Sequence, residues 1–543
     1  MFAPAIQETW MKTLHQMLSA QRISLETFKR IKSNISQGVN LQLSANPLPI
    51  NFKNTPSVTQ CENLVAKRIT DYIAIGAVEK LPTSAPIPHG IQPLHVVIKP
   101  DKKPRLVIDL SRNLNKFLPK EPFSYSTVED AIDTAFKNCK FGKLDLANCY
   151  FSFPLHPDIE KYFYFRFKNN LYRFIRMPFG LSTAPLECTL LLSVPAFVME
   201  EQGCRFIRYL DDFLFIASSN EELQRRLNIA QEVFASFGLT VNPEKTEGPT
   251  EQITFLGIVI NSNNQTLSCP PSRVQEIKDI LKATLLRSFL KRKQAESLIG
   301  KLSFAAKVLP GARPFTRSMI DSLHESPIRS KPVQITEEFK EDLRFWQANL
   351  TAWNGRQQWR HARSNPIILA TDASIAGFGF HLVSAPNSAA PSSWPQKFQR
   401  GSGFCGQYHP KHAHLHNSHR KIAWGELLGV LAALKTYGHK LQNHCVLVLV
   451  DNSTDVSIIN RQSTKSNQLK SILRSIFQLS LQLNFNLYAK HFPGKDNVLA
   501  DFLSRPDLHR SDPLAHAPTI TSDIVPLLCS VSFVCSSQFL PIN

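Results

Sequence analysis

The stretch "FIRYLDDFLFIA", residues 206–217, sets two adjacent carboxylates, Asp211 and Asp212, between runs that otherwise read as core. A two-residue hairpin turn falls naturally at the pair, because Asp tolerates unusual backbone angles. For a single Asp that explanation suffices. Two neighbouring carboxylates repel, and neither is at home beside buried strands unless a cation draws them together. A third acid follows the same logic: Asp145 ends the apolar run "FGKLD" at 141–145. Strand ends that carry acids can converge on one edge of a sheet, and such hard oxygen ligands suit Mg²⁺. Two such ions about 4 Å apart stabilise the attacking and leaving oxygens of an in-line phosphoryl displacement.

The rest of the chain is compatible with that chemistry. At 543 residues, with 43% hydrophobic and 19% charged residues, it is long enough for several cores. Its 62 Lys and Arg against 43 Asp and Glu leave a formal charge of +19, which favours a polyanionic partner. Nucleic acid is the first expectation and an anionic membrane surface the second. The ten cysteines form no CxxC pair, so free thiols in a reducing compartment are expected, in the cytoplasm or nucleus. The opening "MFAPAIQETWMKTLHQML" does not read as a secretory signal. Residues 524–542, "IVPLLCSVSFVCSSQFLPI", are broken by Pro and Ser and fall short of a membrane span of about 20 residues.

Periodicity outlines the organisation. Helical patterns at 61–82, 127–137 and 183–201 interleave with β-rich runs at 95–99, 105–110, 141–146, 162–167 and 171–177, which argues for an α+β body. From 273 to 309 the pattern is helical and basic, and 335–355 reads as a connecting helix. The chain then restarts with "IILATDAS", a Pro- and Ser-rich loop, a helix near 421–437 and "VLVLVDN", marking a second compact domain over about 365–506.

At this point the motifs match a family. "YLDD" between hydrophobic strands, "LDLANCYF" upstream and "MPFGLSTAP" between them resemble the palm motifs of reverse transcriptases, in the order that family has them. The resemblance implies that Asp145, Asp211 and Asp212 hold two catalytic Mg²⁺ or Mn²⁺ ions. It also implies that Tyr150 is the ring that blocks a ribose 2′-hydroxyl; the plain alternative is a core tyrosine. "KPDKKPRLVIDLSRNLN" resembles the fingers segment, with Lys99 and Arg105 reaching the incoming triphosphate. Alone it would be a solvated basic turn. "GLTVNPEKTE" and "ITFLGIVI" resemble later palm motifs, making Lys245 the group that protonates the pyrophosphate leaving group. Phe179 stands where retroviral enzymes usually carry Gln, and Gly180 is expected to support nucleotide and template. These motifs cover about 60–260.

A second set of acids has a similar form. Asp372 ends "IILATD", Glu426 lies in "WGELLGVLAALKTYG", Asp451 ends "VLVLVD" and Asp501 lies in "NVLADFLSR". Singly, each has a plain reading: turn residues for Asp372 and Asp451, a solvated helix residue for Glu426, a pair with Arg505 for Asp501. Together they resemble the D-E-D-D set of an RNase H domain, again implying two metal ions. In "HFPGKDNVLADFLSRP", His491 would be the mobile histidine that assists product release or proton transfer. A recognised 2′-hydroxyl would confine cleavage to the RNA strand of a hybrid. Six residues in "CGQYHPKHAHLHNSHR", namely Cys405, His409, His412, His414, His416 and His419, fit no common zinc spacing and read as a polar loop.

The expected architecture is therefore α+β. A right-hand polymerase of fingers, palm and thumb is followed by a connector and an RNase H-like α/β domain. The expected segments are an extension at 1–60, fingers and palm at 61–265, thumb at 266–330, connector at 331–364, RNase H at 365–506 and a poorly defined tail at 507–543. The expected partners are an RNA template, a DNA primer, an RNA–DNA hybrid and deoxynucleoside triphosphates, with no membrane. Within the resemblance, the connector "LRFWQANLTAWNG" and the lack of a "DTG" or "DSG" protease motif suggest DIRS-type, tyrosine-recombinase retrotransposons. A pararetroviral polymerase is the alternative within the enzyme class, and a domesticated nucleic-acid-binding relative the alternative outside it.

Overall fold

The computed structural model describes residues 2–82, 85, 90–99, 102–309, 311–326, 331–359, 366–383, 403–408, 422–505 and 519–520. The chain divides into two compact units, Met1–Leu256 and Gly257–Asn543.

The first unit opens with α1 (Pro4–Ser19) and α2 (Leu25–Gln37). Pro at the first helical position starts α1, and the Ser24 hydroxyl accepts the Thr27 N–H to cap α2. Trp10, Leu14, Ile31 and Ile35 are buried in the unit's core, and the Trp10 indole N–H donates to the Phe237 carbonyl at 3.1 Å. The first 60 residues carry no recognisable motif, yet they supply part of the first unit's core.

A hairpin of β1 (Leu94–Lys99) and β2 (Lys102–Ile108) follows. Then come β3 (Lys140–Asp145), α3 (Ala184–Glu201), β4 (Phe206–Tyr209), β5 (Asp212–Ala217), α4 (Asn220–Ser236) and β6 (Glu247–Thr250). The four strands form an antiparallel sheet in the order β6-β3-β5-β4. Phe213, Leu214, Phe215 and Ile216 are all fully buried, so β5 is covered on both faces and shows a continuous apolar run. This double burial accounts for the core-like look of the residues around the two acids.

The turn corrects the sequence reading by one residue. Asp211–Asp212 was expected at its centre; instead Leu210 and Asp211 make the turn, and Asp212 is the first residue of β5, paired with both Tyr209 and Asp145. Leu210 takes a φ of +54°, a conformation a branched side chain adopts rarely, so tertiary context holds this turn.

In the second unit, α5 (Pro271–Leu285), α6 (Arg292–Ala305), α7 (Arg317–Glu325) and α8 (Glu337–Trp353) precede a six-stranded sheet. The sheet and its helices are β7 (Ile367–Ala373), β8 (Gly377–Val383), β9 (Gly403–Gln407), α9 (Ile422–Thr436), β10 (Cys445–Val450), α10 (Ser453–Arg461), α11 (Asn467–Leu483), β11 (Asn486–His491), α12 (Val498–Ser504) and β12 (Thr519–Ile520). Strand order is β11-β10-β7-β8-β9-β12. The β7-β8-β9 meander is antiparallel, whereas β10 and β11 run parallel to β7. Only the short strand Thr519–Ile520 of the segment read as a tail lies among the described residues.

Helix α9 is apolar around most of its circumference because it is buried between the sheet and α11. Gly379 lets α12 pack directly on β8; a Cβ there would meet Leu503 and the Ala500 carbonyl. Among the described residues, no helix is long and apolar enough to cross a membrane.

Candidate active sites

In the first unit, sheet register brings the acids together. Asp145 is the last residue of β3 and sits opposite Asp212, while the Leu146 N–H donates to the Asp211 carbonyl at 3.1 Å. Asp145 is 4% exposed and accepts from Lys245 Nζ at 2.7 Å. Lys245 reaches it from a short turn of helix, Pro243–Lys245, which is anchored by the Asn242 N–H on the Asp145 carbonyl at 2.7 Å. The three acids share one end of the hairpin. Among the described residues, their oxygens do not gather as tightly as those of the second set.

The electrostatics suit a divalent cation. Burial, then the neighbouring Asp145, raises the Asp211 carboxyl above its ordinary range. Burial, then Asp211, pushes Asp212 up to about 6. Crowded carboxylates that resist ionisation are what a divalent ion relieves.

Beside them lies an aromatic and cationic group. The Tyr150 and Phe179 rings are 5.3 Å apart, and the Arg105 guanidinium stands 5.7 Å over Phe179. Tyr150, on the 3₁₀ turn Cys149–Ser152, is partly buried and packs against the edge of the core. Gly180 has a φ of +113°, and a Cβ there would overlap the Ile108 carbonyl oxygen. Its carbonyl accepts from Asn115 Nδ2 at 2.8 Å, and the Phe179 carbonyl accepts the Ile108 N–H at 3.2 Å. Gly180 also lines a cavity of about 370 Å³ with His95, Asp109, Arg112 and Asn115. Lys99 ends β1; its side chain lies outside the described residues.

In the second unit, β7 and β10 are neighbouring parallel strands, with Ala370 opposite Leu449, so Asp372 and Asp451 leave the same sheet edge. Glu426 comes down from α9. One ligand oxygen from each of Asp372, Glu426 and Asp451 lies within 4.8 Å of the others. Glu426 is 1% exposed, which rules out the solvated-helix reading; its Oε1 accepts the Ala373 N–H at 3.1 Å. Ser504 Oγ donates to Asp372 Oδ2 at 2.7 Å. Burial, opposed by that bond and reinforced by Asp451, raises Asp372 to about 6. Glu426 is raised well above its ordinary range by burial and then by Asp372. Its Oε2 is buried with no hydrogen-bond partner among the described residues, an oxygen that suits a cation.

Asp501, on α12, turns to Arg505 instead, accepting from Arg505 Nε at 3.1 Å. His491 is exposed at the end of β11, in register with Val450, one residue before Asp451. Cys405 is buried in β9, whereas His409, His412, His414, His416 and His419 lie outside the described residues.

Sequence reasoning missed several partners. Ser504 and Asn115 act across long chain separations and leave no local signal. Asp455 does have one: it lies four residues after Asp451, one helical turn on, and is completely buried.

Residues 97–260 match the family model described as reverse transcriptase (RNA-dependent DNA polymerase). The Tf2-3 and Tf2-7 transposon polyproteins of Schizosaccharomyces pombe are each 23% identical over 416 residues, covering 76% of this chain and 29% of the polyprotein. This chain thus spans under a third of the curated relatives it matches. A foamy viral protease-reverse transcriptase solved in complex with RNA/DNA hybrid aligns with a TM-score of 0.51 at 16% identity, over 92% of this chain and 64% of that one. The shared polymerase fold is what that likeness establishes.

Proposed function

Taking the chain as a retroelement reverse transcriptase, related to transposon polyproteins and matching that family over 97–260, we propose that it copies RNA and DNA templates into DNA and removes the RNA strand of the resulting hybrid. The observation that carries the first activity is the β3–β5 register, which sets Asp145 against Asp212 with Asp211 at the same hairpin end. Metal ions bound there, two by the family's pattern, would supply Lewis-acid stabilisation of the attacking and leaving oxygens.

The chain's own residues have distinct tasks in this reading. Asp145 and Asp211 are the main cation ligands and Asp212 a less direct one. Arg105 offers a forked donor to the triphosphate, with Lys99 beside it on the hairpin. Tyr150, braced by Phe179, meets a ribose 2′-hydroxyl by collision, and Gly180 lets backbone approach the nucleotide. Lys245 is held by Asp145 in this structure; with that carboxylate serving as a metal ligand, the Lys245 ammonium would be free to hand a proton to pyrophosphate.

The second activity rests on the Asp372, Glu426 and Asp451 cluster at one sheet edge, with the β7-β8-β9 meander and parallel β10 and β11 supporting an RNase H-like domain. Asp501 joins by leaving Arg505, and His491 stands near the Asp451 strand end for product release or proton transfer. Among retroelements we infer the DIRS type from the connector "LRFWQANLTAWNG". The pararetroviral alternative has the same order of sites.

The test is a pair of assays with Mg²⁺ or Mn²⁺: primer extension on a homopolymer, and cleavage of a labelled RNA–DNA hybrid. Asp211→Asn should remove extension and spare cleavage, and Asp451→Asn the reverse. Loss of both activities in the wild type, with hybrid binding kept, would mean a domesticated binding protein instead.

A further inference from the structure

The hydrolytic cluster contains an acid outside the D-E-D-D pattern. Asp455 lies in the first turn of α10, the helix that begins just after Asp451. It shares a face with Ile458 and Ile459, which are packed in the core. Its side chain is fully buried, and neither carboxylate oxygen has a hydrogen-bond partner among the described residues. Helix α10 packs against α9, which carries Glu426, and begins two residues after Asp451, so the charge of Asp455 acts on both acids.

An unpaired buried carboxylate is costly, and burial beside two further acids makes it more so. A hydrophobic residue would fill the same face of α10 at no such cost. Glu426 Oε2 is orphaned in the same way, so three buried oxygens here, one from Glu426 and two from Asp455, have no donor. A divalent cation held by Asp372, Glu426 and Asp451 would offset part of the group's negative charge.

We propose that Asp455 is a further acidic residue of this cation site, a positioning residue that raises its affinity for divalent metal through Asp451 and Glu426. The inference rests on the reading of Asp372, Glu426 and Asp451 as metal ligands. Asp455 is not assigned contact with substrate; it acts from behind the ligands. Outer groups that support metal ligands alter metal affinity by about 10–100-fold when removed, and Asp455 would do so through its charge, without a hydrogen bond to either ligand.

The test measures Mn²⁺ binding by electron paramagnetic resonance on the full chain. An Asp145→Asn/Asp211→Asn background makes the signal report on the second unit. Asp455→Asn should weaken binding at least about tenfold, and Asp451→Asn should weaken it further. Asp455→Leu should also melt at a higher temperature than its parent without Mn²⁺ and gain less on adding it. If Asp451→Asn weakens binding while both Asp455 variants bind Mn²⁺ as the parent does, Asp455 is a buried neutral acid and the inference is overturned, with the reading of the site intact. If Asp451→Asn also leaves binding unchanged, the cation site itself is refuted and the inference goes with it.

Discussion

Gly180 leaves the least freedom of any residue near the polymerase acids. Its positive φ and the Ile108 carbonyl at its Cα exclude a Cβ, so Gly180→Ala should cost about 1–3 kcal/mol of stability, read by urea denaturation. Tyr150 is the opposite case, since its ring has room to be shortened. Tyr150→Val should raise the ratio of ribonucleotide to deoxyribonucleotide kcat/KM with little loss of folding. The acids give a pH prediction. Asp212 and Asp372 are each raised to about 6, so between about pH 4 and 6 the folded chain binds more protons than the unfolded one. Their contribution to stability is full below pH 4 and lost as pH rises through 6. Without metal the Tm should therefore fall across that window. The stabilisation gained from Mg²⁺ should grow across the same window, as the carboxylates become free to bind it. A flat Tm difference between EDTA and Mg²⁺ over pH 4–7 would contradict this.

At the level of elements, what was legible in the sequence was what local pattern controls. Apolar runs ending in Asp145, Asp372 and Asp451 did mark strands that present acids at their ends, and α3 and α9 fall where the helical patterns lie. The Asp211–Asp212 turn was misplaced by one residue because left-handed Leu210 is imposed by the sheet, which no local propensity reveals. Buried polar pairs between distant segments were equally invisible. Arg30 of α2 donates to Glu187 of α3 at 2.5 Å, and Asn34 to the same carboxylate at 2.7 Å. In the second unit, Arg474 of α11 pairs with fully buried Asp342 of α8, while the Ser318 N–H donates to Asp342 at 3.0 Å. Truncating one partner leaves a buried charge alone. Arg474→Met should thus lower stability by about 3–5 kcal/mol, and the double change Arg474→Met/Asp342→Leu should recover most of it, measured by chemical denaturation.

For the whole molecule, the charge of +19 and the two acid clusters have to be reconciled, since both ask for the same polyanion. On the proposed function, the basic residues would supply affinity that is largely indifferent to sequence, and the acids would become productive only with cations bound. Hybrid binding should therefore weaken steeply with salt, by about 10³ or more between 50 and 200 mM if six or more phosphates are contacted. The charge surplus and the order of motifs were legible from composition and sequence. The contribution of residues 1–60 to the first unit's core was not, because packing of α1 and α2 depends on partners far along the chain. The central claim is that the hairpin end bearing Asp145, Asp211 and Asp212 is a polymerase centre. RNA-templated extension of a DNA primer, resolved one nucleotide at a time, tests it most directly. The wild type with Mg²⁺ should add complementary deoxynucleotides, and Asp211→Asn should slow addition by about a thousandfold or more while binding the primer-template equally. Extension by Asp211→Asn at the wild-type rate would contradict the account.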